Sequence, residues 1–416
     1  MIADSLLALG LVLATATQLR PGHSSVGPAE LLLVLWLLIA GARLLRRGAL
    51  HAGTPLRIIG GFWIAFVASL CIGTMVGLLI ETRRDTISSL HDIGAYALLL
   101  PVSCLAVAQD GARERLSRTA WGCVLAGNVM LALQIANAYG AFSLSGVDPW
   151  FWDRLQGWSD NPNQLALLAA VLMFMALHVA ERARNHGAMF MGTVCAVLPF
   201  IAGVLSKSDT FVLVCICCFT LFAAMTLRRW LAQRAVSPTR TLAATGIIVA
   251  IPLVVLSLLP FAGYAVAHAD RYASSVYSGK DRSRTATGEG ALRLRLWHAA
   301  VVDGVGAAGL GLGPGAHLVV MPYKREPPPK FEAHNTILDL FTQGGALAVL
   351  AVVVIWASVL RAAWRAHAAA LATLACAIAV FSMFHLIIRQ PMFWFTMALG
   401  LTACLEAATP PSATEG

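Results

Sequence analysis

Glu332-Ala-His-Asn-Thr-Ile-Leu-Asp-Leu-Phe-Thr-Gln-Gly-Gly-Ala-Leu-Ala-Val-Leu-Ala-Val-Val-Val-Ile-Trp-Ala-Ser-Val-Leu360 opens polar and then runs apolar to its end. The apolar part, residues 336–360, exceeds the roughly 20 residues an α-helix needs to cross a bilayer. It does not alternate as a strand of a membrane barrel would, so it reads as a transmembrane helix. The polar entry at Ala333-His334-Asn335 marks the boundary between water and lipid.

Comparable runs cover 3–19, 28–42, 58–80, 92–108, 119–138, 163–180, 188–205, 209–227, 241–266, 368–387 and 392–408. The chain is 58% hydrophobic and 12% charged, with a mean hydropathy of +0.74, whereas soluble domains are about 25% charged. The expected fold is an all-α integral membrane protein with about twelve transmembrane helices. The first run lacks a small-residue cleavage site after a basic segment, so it reads as a retained span. Residues 1–267 would hold nine helices, 268–335 a large extramembrane loop containing short helices, and 336–416 three helices and a short tail.

Charge gives the orientation. Of the 30 Lys and Arg, 15 fall in one alternating set of short loops: Arg43, Arg46, Arg47 and Arg57; Arg113, Arg115 and Arg118; Arg182 and Arg184; Arg228, Arg229, Arg234 and Arg240; Arg361 and Arg365. The opposite short loops hold only Arg20, Arg83, Arg84, Arg154, Lys207 and Arg389. The positive-inside rule places the richer set, and both termini, in the cytoplasm. The 268–334 loop then faces outward, into the periplasm of a Gram-negative host, and its own basic residues do not oppose this because long loops translocate regardless of charge. The net charge of +9 is thus a topological signal, not a nucleic-acid footprint.

The nine cysteines lie in or at the ends of apolar runs and read as packing residues. The 215/217/218 group lacks a nearby His or carboxylate, so no metal site is expected. No internal repeat is evident, and no span carries a charge near its centre, as pumps and proton relays need. Polar groups gather instead at the outer ends of the spans.

Two short outer segments stand out. The loop 139–163 carries Trp150, Trp152 and Trp158 with Asp153, Arg154, Asp160, Asn161 and Asn163; it is either an interfacial anchor or an aromatic platform at a sugar or lipid site. The hairpin Leu205-Ser-Lys-Ser-Asp-Thr210 offers Lys207, which either snorkels to the headgroups or binds an anion.

The long loop has internal order. Residues 270–290 are rich in Ser, Gly and Thr and read as a mobile or lid segment. Ala291 to Val302 reads as a helix with Leu292, Leu296 and Ala299/Ala300 on its apolar stripe. Arg293 and Trp297 share a face, whereas Arg293 and Arg295, about 200° apart, cannot both enter one small site. Gly309-Leu-Gly-Leu-Gly-Pro-Gly315 reads as a backbone turn, since no βαβ unit surrounds it. Pro327-Pro-Pro329 gives a stiff extended approach to His334. An imidazole there can take a proton near neutral pH, and neighbouring arginines would grip phosphate oxygens with a planar fork.

The whole resembles the O-antigen ligase family, within the superfamily that also holds O-antigen polymerases and pilin-type O-oligosaccharyltransferases. The resemblance covers most of the chain. It rests on the number of spans, the placement of the loop, Asn161-Pro-Asn163, Arg293-Leu-Arg-Leu-Trp297, Gly311-Leu-Gly313, His334-Asn335 and Gly344-Gly345. It implies a GT-C-like membrane glycosyltransferase of the bacterial inner membrane with its site on the periplasmic side. It implies an inverting, metal-independent transfer of a glycan from undecaprenyl diphosphate to lipid A–core oligosaccharide, with no cofactor. His334 would be the base and Arg293 would engage the diphosphate. The family's Ser-Arg pair between spans 7 and 8 is replaced by Ser208-Asp209, so Lys207, Arg295 and Arg389 are the further diphosphate candidates. The expected partners are the membrane and the two lipid-linked substrates, with no nucleic acid, and the protein is expected to act as a monomer. A polymerase or a protein O-oligosaccharyltransferase would share this chemistry, and a lipid-linked glycan transporter is the non-enzymatic alternative.

Overall fold

The computed structural model describes residues 2–21, 26–47, 52–81, 83–232, 286–319 and 328–405. Outside them lie the expected ninth span at 241–266, most of the expected lid at 270–290, Pro327, and the tail after Leu405. In chain order the helices are α1 (Ile2–Leu13), α2 (Pro28–Arg47), α3 (Thr54–Ile80), α4 (Thr86–Ala108), α5 (Ala112–Ala138), α6 (Pro162–Glu181), α7 (His186–Val194), α8 (Val197–Leu205), α9 (Asp209–Ala232), α10 (Ala286–Gly306), α11 (Thr336–Arg365), α12 (Ala369–Ser382) and α13 (Pro391–Leu405). A two-stranded hairpin, β1 (Trp150–Phe151) and β2 (Arg154–Leu155), precedes α6.

Among the described residues, eight segments are helical, long and apolar enough to cross a membrane: α2 to α6, α7 with α8, α9 and α11. α1, α12 and α13 are shorter apolar helices. Every expected run among these residues therefore became helix, as it must where lipid cannot hydrogen-bond a bare backbone. Some boundaries differ. The first run is helical only to Leu13, with a 3₁₀ turn at Thr17–Leu19. The seventh breaks at Cys195–Ala196, where Pro199 can supply no N–H to the carbonyl four residues back. The loop helix is longer than Ala291–Val302, and the eleventh run stops at Ser382.

Local sequence sets the helix starts. Asp85, Asn161 and Asn185 accept backbone N–H groups of Ser88, Asn163 and Ala188 as N-caps. α6 is apolar all round and buried along nearly its whole length, so it forms the core of the bundle. An aromatic knot joins three other helices. Trp63 of α3 packs against Trp394 of α13 with centroids 4.5 Å apart and ring planes tilted by 31°, and Phe66 meets Tyr96 of α4 edge-on at 5.0 Å. The indole N–H groups of Trp63 and Trp394 donate to Ser103 and to the Ile388 carbonyl, so the rings pack without orphaned donors.

α11 is broken where the glycine-rich loop enters. Gly345 adopts φ 67° and ψ −161°, a conformation essentially confined to glycine. The carbonyls of Thr342 and Gln343 accept instead from Leu312 N at 2.7 Å and Gly313 N at 2.8 Å, and Ala346 N donates to the Gly309 carbonyl at 2.8 Å. The expected turn thus inserts at the break and replaces hydrogen bonds of the broken helix. Irregular backbone of this kind needs burial in protein. α3 provides it through Gly77, where a Cβ would strike the Leu312 carbonyl.

Candidate functional site

The chain enters α11 through a fixed turn. Asp339 accepts Ala333 N at 2.6 Å and Asn335 N at 3.1 Å, so one buried carboxylate holds both amides that flank His334. Asn335 caps α11 by accepting from Ile337 N and Leu338 N, and its amide donates to the Met383 carbonyl at 2.8 Å. His334 itself has φ 53°, uncommon for a non-glycine residue. The ring reaches the surface, although protein surrounds most of it. Burial lowers its basicity below the ordinary value; Glu332 opposes that, and Arg293 and Arg389 add to it.

A second histidine sits beside it. The turn between α12 and α13 is docked to the start of α11, with Thr336 Oγ1 donating to the His385 carbonyl at 2.6 Å and accepting from Ile387 N at 3.1 Å. The His385 ring is 3.3 Å from Thr210 Oγ1. Burial, reinforced by Arg293, His334 and Arg154, pushes its pKa down to about 3, so it is neutral at any working pH.

α10 brings Arg293 to the two histidines. Trp297 donates its indole N–H to the Ala333 carbonyl at 3.1 Å, and Leu296, Ala300, Leu318 and Ala333 form a small core beneath it. Arg293 on the same helix face is half-buried, within electrostatic reach of His334 and His385, while Arg295 is exposed. Of the two arginines that could not both enter one site, the structure turns Arg293 inward.

The other expected cations are placed differently. Lys207 pairs with Asp153 at 2.6 Å, and both side chains are exposed. Arg389 is shared between two carboxylates, Asp92 and Glu332, the latter at 2.8 Å. Burial works against its charge, but these two partners raise its basicity above the ordinary value. A further guanidinium, Arg154 of β2, acts on His385. Its Nε donates to the Ser206 carbonyl at 3.0 Å, and a terminal nitrogen donates to Asn163 Oδ1 at 3.2 Å, an oxygen that also accepts from Ser208 Oγ at 2.8 Å. Arg154 thus stands beside Ser208, next to the position where the resemblance leads one to expect an arginine.

Arg154 and His385 had no named role in the sequence reading. Arg154 was one charge among several in the 139–163 loop. His385 lay inside an apolar run, and its signal is position: an ionisable residue at the expected outer end of a span, four before Arg389.

A separate cluster fastens the loop to α3. Glu81 takes His317 Nδ1 at 3.1 Å and the Lys330 ammonium, and Arg84 lies within 3.4 Å. Burial would raise the Glu81 carboxyl, but the hydrogen bonds from His317 and Lys330 outweigh it and hold it below the ordinary value. Leu318 and Phe331 bridge just beyond.

The assembled site offers an imidazole on a rigid turn, a neutral second imidazole, and two guanidinium groups from different elements. Such a set can accept a proton and hold an oxyanion leaving group. The chain matches no protein-family model, and no curated protein or solved structure shows significant similarity to it.

Proposed function

We propose that the protein is an O-antigen ligase, which transfers a glycan from undecaprenyl diphosphate to lipid A–core oligosaccharide on the periplasmic face of the inner membrane. The observation that carries this reading is the convergence of His334, Arg293 and Arg154 from three separate elements at one end of an apolar helical bundle. His334 takes the proton of the acceptor hydroxyl. Arg293 and Arg154 hold the diphosphate and neutralise the charge that grows on it as the sugar departs. Arg389 serves the architecture of the site and not the phosphate, because its fork is spent on Asp92 and Glu332.

Position at the surface of the bundle suits two lipid-anchored substrates that must meet without crossing the membrane. A polymerase would use the same groups on the same donor. Reconstitution with undecaprenyl-diphosphate glycan and lipid A–core separates the two. Glycan on lipid A is the expected product, while a longer glycan on the carrier alone would replace the ligase reading with the polymerase one.

A further inference from the structure

We propose that Glu332, held by Arg389, is a positioning residue that partners the His334 imidazolium while it carries the acceptor's proton. This rests on the reading of His334 as the base. In the transfer, the acceptor oxygen bonds to the anomeric carbon, and the bond from that carbon to the diphosphate oxygen breaks with its electron pair leaving on the diphosphate. The acceptor proton passes to a ring nitrogen of His334 and then to solvent. Between those events the site contains a cation that was not there before.

The surroundings of that cation are unfavourable on most sides. Arg293 faces it from α10, and Arg389 and the neutral His385 face it from the turn before α13. Among the described residues, Glu332 is the negative group that acts on the ring. It comes from the same fixed segment, two residues ahead in the chain, and Asp339 anchors the amides of Ala333 and Asn335 on either side of His334.

Glu332 is also more than Arg389 needs. That guanidinium already has the fully buried Asp92 as a partner. A terminal nitrogen of Arg389 lies 2.8 Å from one Glu332 oxygen and 3.0 Å from the other. A carboxylate has about four acceptor positions, so capacity remains. Of the two carboxylates on that guanidinium, Glu332 is the one that acts on His334. The other titratable groups near Glu332 are His91, Asp92 and Tyr96 of α4 and Asp339 of α11. Asp339 spends its oxygens on the two amides.

The sign is fixed by charge. Removing the negative group destabilises the imidazolium, so His334 gives up its proton at lower pH. The test uses the full-length protein in lipid nanodiscs without substrate. Diethyl pyrocarbonate modification of each histidine is followed by mass spectrometry across a pH series. Glu332→Gln is expected to lower the His334 midpoint by about half to one pH unit, with the exposed His298 unchanged. Glu332→Asp keeps the charge but draws it back, so it lowers the midpoint by less and protects the result if Glu332→Gln folds poorly. An unmoved midpoint in the folded variants, even with slowed transfer, makes Glu332 a structural partner of Arg389 and overturns the proposal. Normal transfer by His334→Ala would instead overturn the base reading while leaving the midpoint shift intact.

Discussion

Asp339, six residues after Ala333, accepts its backbone N–H at 2.6 Å. With its second oxygen on Asn335 N, it holds the backbone N–H of the residue on each side of His334. Asn in its place can accept one N–H but turns an amide NH₂ toward the other. That leaves a buried donor unsatisfied, at a cost of about 1–3 kcal/mol, and releases the His334 backbone. Misplacement of a reacting group by about 1 Å can cost about a hundredfold in rate. Asp339→Asn should therefore lower transfer on that scale, with donor binding retained. Parallel rate and donor-binding measurements check this, and a wild-type rate would rule out the clamp.

Arg154 and Arg293 should differ from Arg295 in donor handling. Arg154→Lys keeps a charge but loses the planar fork that reaches both Ser206 and Asn163. Lysine is a poor replacement at such a site, so donor use should fall about tenfold or more by the scale of one lost charge-assisted hydrogen bond. Arg293→Ala should fall further. Arg295→Ala, on the exposed face, should stay near wild type. Steady-state kinetics against donor concentration decide it, and equal losses at 293 and 295 would remove the inward assignment of Arg293.

Transfer should survive excess chelator. The carboxylates nearest the histidines are engaged, with Glu332 and Asp92 on Arg389 and Asp339 on two amides. A divalent ion needs oxygen ligands with spare capacity and would have to compete with these contacts. Loss of activity in EDTA that magnesium restores would show that the diphosphate is held through a metal and not through arginines alone.

Acid should destabilise the protein through His385. Its folded pKa of about 3 lies below the ordinary value of 6.5, so between those values the unfolded state binds more protons than the folded one. Stability from this group is complete above pH 6.5 and is lost as pH falls, by up to about 1.4 kcal/mol per pH unit. His385→Asn removes the titration. Its apparent Tm should therefore fall less between neutral pH and pH 4 than that of the wild type, at one scan rate. Parallel slopes would place the acid sensitivity elsewhere.

The helices were legible in the sequence because bilayer crossing is a local rule: a long apolar run with its backbone satisfied internally. The place of His334 at a helix mouth was legible because it is also a local pattern, whereas helix periodicity left Arg293 and Arg295 open and only the resemblance singled out Arg293. Arg154 was not legible, since its place depends on carbonyls and side chains some ten to fifty residues away, at Asn163 and Ser206. Nor was His385. The turn that carries it is apolar, and it is a turn because Asn335 and Thr336 bind its carbonyls from another helix.

The break in α11 is the least local feature and gives the sharpest stability test. Leu312 N reaches the Thr342 carbonyl across thirty residues of chain, and this pairing requires Gly345 at φ 67° and ψ −161°. An alanine there would occupy a glycine-only region, at a cost of about 1–3 kcal/mol. Its Cβ would also strike the Gly309 carbonyl, the acceptor for Ala346 N. Gly345→Ala should thus lower the Tm and the folded yield, and transfer with them, because the same loop leads on toward His317 and the approach to His334. Gly41→Ala in α2 is the control. It has open space around its Cβ and no positive φ, and alanine favours a helix by up to about 1 kcal/mol, so its Tm should hold or rise. If Gly345→Ala matched that control, the glycine loop would not be standing in for the broken hydrogen bonds of α11.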